Sequence, residues 1–142
     1  MEKNENENNK LLKSEAINID VSLLILRLSV GGLILLHGIG KLQDLTNGNT
    51  NFFDEFDPCG FGGYTMLLLA VISEFLCSLL VIFGVFFRIA LIPLIVTMVM
   101  AFFVFHANDD LMDKELPLVY LICLVVLMLS GAGKYKIAKF KR

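Results

Sequence analysis

Beyond about residue 21 the chain is four apolar blocks joined by short polar connections, and each block carries an ionisable residue within it or at its edge. Arg27, Glu74, His106 and Glu115 are the clearest cases, and His37 and Lys41 lie at the end of the first block. A charged side chain at mid-bilayer costs roughly 2.5–3.5 kcal/mol on insertion scales, so each such residue needs a partner or a function. The blocks run over residues 21–40, 64–87, 89–106 and 115 or 116–130. A helix crosses the hydrocarbon core with about 20 residues, range roughly 17–25. The first three blocks meet that length, and the fourth meets it with interfacial ends. The expected fold is therefore all-α, a four-transmembrane-helix bundle with a long first outer loop.

Composition supports a membrane domain. The chain has 142 residues, 56% of them hydrophobic, and a mean hydropathy of +0.74, against about 45–50% apolar in soluble domains. The net charge of −2 leaves no basic footprint for nucleic acid. Residues 1–20 form a polar leader rich in Asn, Glu and Lys, without the apolar core and cleavage site of a signal peptide. Residues 21–133 make up the membrane domain, and 134–142 a basic tail. Lysines in leader and tail, with Arg88 in the tight second connection, contrast with acidic first and third loops. The positive-inside rule then places both termini in the cytosol of a multi-pass protein of the cytoplasmic membrane. Cys59, Cys77 and Cys123 are odd in number and form no CxxC pair, so no disulfide framework follows.

Facing follows from the turn of about 100° per helical residue. Arg27, Gly31, Ile34, Gly38 and Lys41 share one side of the first helix, with His37 at its edge, and the glycines allow another backbone to approach there. On the second, Glu74, Cys77, Val81 and Arg88 share a side, with Ser78 beside them. These faces are expected to meet, with Arg27 and Glu74 coupled directly or through water and Arg27, Glu74 and Arg88 forming a structural charge network. Depth arguments gather His37, Lys41, Glu74, His106 and Glu115 into one polar pocket in the outer half of the bundle. An interfacial ring of unrelated helix ends is the alternative. Phe52, Phe53 and Phe56 suit one face of a short helix capping that end, or an ordinary aromatic anchor. His37, Glu74, His106 and Glu115 carry metal-donor atoms but lie on different blocks without local ligand spacing, so no metal is expected.

The segments LRLSVGGLILLHGIGKL (26–42), SEFLCSLLVIFGVFFRIA (73–90), MAFFVFH (100–106) and ELPLVYLICLVVLMLSGAGKY (115–135) resemble the DoxX family of small four-helix membrane proteins. The resemblance covers almost everything after the leader. It implies a bundle in the cytoplasmic membrane, and its pattern positions carry over to Arg27, His37, Lys41, Glu74, Arg88, His106 and Glu115. Relatives include the DoxD component of a thiosulfate:quinone oxidoreductase and proteins tied to oxidative-stress defence. The resemblance thus points to a subunit or accessory component of a membrane redox system, with a quinone as the compatible cofactor. The sequence has no cytochrome, flavin or nucleotide-loop motif and no Ser-His-Asp arrangement. It therefore defines no catalytic residues, and a protein partner acting as electron donor is implied. An oligomer is compatible with so small a bundle. The competing reading is a non-enzymatic membrane assembly or binding protein. A small transporter ranks behind both, because four spans are few and no internal repeat is evident.

Overall fold

The computed structural model describes residues 18–137; the sequence expectations for residues 1–17 and 138–142 lie outside them. Helix α1 spans Ile19–Asn47, two turns longer than its apolar block. The Asn18 side chain accepts a hydrogen bond from the Val21 amide at 3.2 Å, satisfying one of the first-turn N–H groups. Gly48 ends the helix in the left-handed region. A five-residue helix, α2 (Asn51–Glu55), follows in the loop. The two long helices after it are α3 (Gly63–Phe83) and α4 (Phe87–Phe105). The last, α5 (Leu111–Ser130), contains Pro117 near its start.

By length and apolarity α1, α3 and α4 are each able to cross a membrane. The fourth long helix has 20 residues, but Asp113, Lys114 and Glu115 crowd its first turns. From Leu116 onward its apolar part rises about 21 Å at ~1.5 Å per residue. Large apolar side chains remain uncovered around the whole bundle, among them Ile25, Leu36, Ile89, Phe103 and Leu129, each at least 60% exposed. Contiguous apolar surface of this kind is a liability in water and suits acyl chains. The fold is an all-α membrane bundle.

The core runs along the bundle axis through Val30, Ile34, Val81, Leu91, Leu94, Leu124 and Leu127. The buried side of α1 is Arg27, Val30, Gly31, Ile34 and Gly38, the side expected from the sequence. It lies against α3. Gly38 makes the closest approach: a Cβ there would stand 2.5 Å from the Glu74 carbonyl carbon and the Phe75 nitrogen. That section of α3, Ile72–Cys77, is wound as a π-helix. The Ser78 hydroxyl hydrogen-bonds the Glu74 main-chain carbonyl, giving it a partner where the regular ladder is interrupted. A second π-helical stretch, Ala101–Phe105, closes α4. Single-turn π segments inside α-helices recur at functional sites.

The opposite end of the bundle corrects two expectations. Arg27 is buried, but it does not pair with Glu74. Its guanidinium donates to the carbonyls of Ala132, at 2.7 Å, and Tyr135. The reason is distance along the axis: from Arg27 to Lys41, which holds Glu74, α1 rises about 21 Å. Residues 131–137 fold back across this end. The Lys134 amide donates to Asp20 Oδ1 and the Ile137 amide to the Phe83 carbonyl. Arg88 belongs to no network with Arg27 and Glu74. The chain reverses at Gly84, whose φ of +71° ends α3, so Arg88 sits on α4, exposed, instead of continuing the Glu74 face. A side chain at Gly84 would meet the Arg27 guanidinium at 2.9 Å and Lys136 Cβ at 2.8 Å.

Candidate functional site

At the Lys41 end the helices and the α2 loop surround a cavity of about 430 Å³. This lies within the usual range of small-molecule sites, roughly 300–1,000 Å³. Glu74 enters it from the π-helical section of α3, with the whole residue only 2% exposed. Its Oε1 accepts from Lys41 Nζ, the ion pair that joins α1 to α3. Its Oε2 is buried and has no hydrogen-bond donor among the described residues. The hydroxyls of Ser73, Ser78 and Thr97 are committed elsewhere. Ser78 serves the Glu74 main chain, while Thr97 pairs with Ser73 Oγ at 2.7 Å and donates to the Pro93 carbonyl. A buried carboxylate oxygen without a donor is costly, and Glu74 is one of the residues that line the cavity.

The rest of the lining is mostly apolar. Phe52, Phe53 and Phe56 from the α2 region and Phe105 from α4 contribute rings, and Met66, Met98 and Met100 contribute thioethers. Phe105 packs against Phe52 and Phe56 with ring centroids 5.1 and 5.0 Å apart. The short α2 is thus tied across the bundle to α4 and covers this end of the cavity, the capping arrangement considered for its phenylalanines. Offset and edge-to-face contacts of this kind contribute beyond their buried area.

His37 and His106 complete the polar lining. His37 is exposed on α1, with its ring edge-on to Tyr120 of α5 at 6.3 Å. His106, at the end of α4, has Nδ1 2.8 Å from Asp109 Oδ2. A carboxylate only accepts, so Nδ1 carries the hydrogen, and in the neutral ring Nε2 is an acceptor. The structure therefore gathers His37, Lys41, Glu74 and His106 around one cavity. Glu115 is not among the lining residues. It is exposed in the first turns of α5, where Leu116 and Pro117 are the neighbours that line the cavity.

Tyr120 and Thr97 are lining residues that sequence reasoning passed over. A signal for Tyr120 was present: a hydroxyl-bearing aromatic sits within an apolar helix, on the side that also carries Pro117, Leu124 and Leu127. The loop leading into α3 holds another. Asp57 accepts hydrogen bonds from the amides of Phe61 at 3.1 Å and Gly62 at 2.7 Å. The Gly62 bond above all holds the Asp57 carboxyl below its ordinary pKa, with Phe61, Gly60 and Cys59 adding to it against a smaller opposing effect of desolvation. This anchored turn carries Cys59 and Phe61 to the cavity mouth. An Asp followed by Pro and Gly is its sequence sign.

Comparison with known proteins fits this architecture. Two proteins of Haemophilus influenzae, each described only as an uncharacterized protein, are similar over most of their length. One is 32% identical over 132 residues, 86% of this chain and 84% of the relative. The other is 33% identical over 122 residues, 78% of this chain and 84% of the relative. No solved structure matches. The sequence model of the DoxX family matches residues 22–107, from the first turn of α1 through His106, and so takes in all four polar residues of the cavity. The chain belongs to the DoxX family.

Proposed function

We propose that this protein is a membrane subunit or accessory component of a redox system and that its cavity binds a quinone-type aromatic head group. The observation that carries this reading is Glu74. It is a carboxylate almost wholly removed from solvent, with one oxygen held by Lys41 and the other without a donor among the described residues, at the wall of a cavity lined by phenylalanine and methionine. Aromatic and thioether walls suit a planar apolar ring. Lys41, Glu74 and the two histidines supply hydrogen-bonding and proton-exchanging groups at its rim. The described residues offer no electron carrier of their own, and a protein partner supplies or removes the electrons.

The experiment is to isolate the full chain gently from its membrane, extract it with organic solvent and identify bound isoprenoid quinones by mass spectrometry. The expected result is quinone enriched over the bulk lipid and lost in Glu74→Ala protein that still folds. Quinone at the bulk-lipid ratio in both proteins would oppose the reading. It would leave the Lys41–Glu74 pair as a device that fixes the register of α1 on α3 in an assembly protein.

The same proposal places both termini on the cytosolic side of the cytoplasmic membrane, with the cavity mouth opening toward the other face. The support is the contrast between Lys134 and Lys136 at the Arg27 end and Asp54, Glu55, Asp57, Asp109 and Asp110 in the loops around the cavity. Cys59 is exposed in one of those loops. A membrane-impermeant maleimide should label it in spheroplasts. Labelling only after lysis would reverse the orientation.

A further inference from the structure

We infer that the cavity selects the reduced, hydroxyl-bearing form of its aromatic ligand, a hydroquinone or catechol, over the oxidised quinone, with Glu74 Oε2 accepting the ligand's hydroxyl hydrogen. This rests on the cavity being a quinone-type site and adds to it the redox state that the site prefers.

The argument is one of matching donors to acceptors. Glu74 Oε2 is an acceptor without a donor among the described residues. A phenolic hydroxyl has both properties the site needs. Its hydrogen goes to Oε2, and its oxygen can accept from Lys41 Nζ, which has two hydrogens beyond the one given to Oε1. A quinone carbonyl has no hydrogen to give. Bound at the same place it would leave Oε2 unpaired and set its lone pairs against a carboxylate. His106 adds to the bias. With Nδ1 turned to Asp109, the remaining ring nitrogen Nε2 is the one left for a ligand, and a hydroxyl can pair with it as donor or as acceptor. Lys41 can donate to the oxygen of either form, so the discrimination comes from Glu74 Oε2, which only a ligand hydroxyl satisfies. In the bound state described here the hydrogen stays on the ligand oxygen and no bond is made or broken.

A hydrogen bond to a charged acceptor in a site of low polarity is strong enough that losing it lowers affinity about tenfold or more. The test is anaerobic calorimetric titration of the full chain in lipid nanodiscs with three ligands of one shape: 2-decylhydroquinone, 2-decylbenzoquinone and the dimethyl ether of the hydroquinone. The hydroquinone should bind about tenfold or more tighter than either of the others. In Glu74→Gln the amide nitrogen can donate to a carbonyl, so the preference should shrink or reverse. Equal binding of hydroquinone and quinone would overturn the inference and leave the cavity as a quinone-type site. Equal binding of hydroquinone and ether would show that shape alone decides, and would overturn it as well. Absence of binding by all three would end both readings. A folded Glu74→Gln protein that kept the full preference would remove Glu74 from the role. Should that variant fail to fold, the three ligands on the unaltered protein still decide.

Discussion

Gly38→Ala should be among the most damaging single-methyl changes available in this protein. The added carbon would lie 2.5 Å from the Glu74 carbonyl carbon and the Phe75 nitrogen, and 2.6 Å from the Glu74 oxygen. All three are backbone atoms of a helix, so no side chain can rotate away. Relief would require α1 and α3 to separate along their contact. Overpacking of this kind costs about 1–3 kcal/mol and sometimes more, and here the displaced segment also presents Glu74 to Lys41. The expected result is a fall in the thermal midpoint of detergent-solubilised protein together with loss of ligand binding. Gly32→Ala is the control, since a Cβ at Gly32 meets nothing within 4 Å. Equal stability of the two variants would show that α1 and α3 are not in contact at Gly38.

The second large effect is expected at the ion pair. Removing one member of a buried pair leaves an uncompensated charge, typically at a cost of about 3–5 kcal/mol. The Lys41 side chain is 28% exposed and that of Glu74 only 3%. The loss in Lys41→Met should therefore fall toward the lower end of that range, because solvent still reaches the ammonium end of the pair. Glu74→Leu strands Lys41 instead, which can turn toward the mouth, so it should cost less than Lys41→Met. The double variant should be more stable than Lys41→Met alone, since it strands neither charge. Unfolding midpoints of the four proteins give a double-mutant cycle. Additivity across it would mean that the two residues do not act on each other.

Much of the bundle was readable from sequence because its signals are local and periodic. The inward face of α1 is legible as Arg27, Gly31, Ile34, Gly38 and Lys41, and all of these but the half-buried Lys41 are buried in the structure. The presence of one buried carboxylate in the second span was also plain from the run around Glu74. Its partner was not. Arg27 and Glu74 lie on facing helices, but at different heights along the bundle axis, because α1 rises about 21 Å between Arg27 and the Lys41 that holds Glu74. Arg27 instead serves the carbonyls of Ala132 and Tyr135, and backbone acceptors leave no mark in a sequence. Helical periodicity extended past Gly84 puts Arg88 on the Glu74 face, but the left-handed turn at Gly84 resets it. The π-helical windings at Ile72–Cys77 and Ala101–Phe105 escape any argument built on 100° steps. They nevertheless orient the segments that carry Glu74 and Phe105. Depth groups Glu115 with the pocket but says nothing of azimuth, and Glu115 is exposed and not among the lining residues, whereas Leu116 and Pro117 are.

The central claim is that the space enclosed by Glu74, His37, His106 and the phenylalanines of α2 is where this protein binds its aromatic ligand. The most direct measurement is photo-crosslinking of the full chain in nanodiscs with a diazirine-bearing quinone, followed by peptide mapping by mass spectrometry. Labels should concentrate on the peptides containing Phe52–Phe61, Glu74 and Phe105–His106, and excess unlabelled hydroquinone should suppress them. Labels spread over lipid-facing residues such as Ile25, Ile89 and Leu129, and insensitive to that competitor, would contradict the claim.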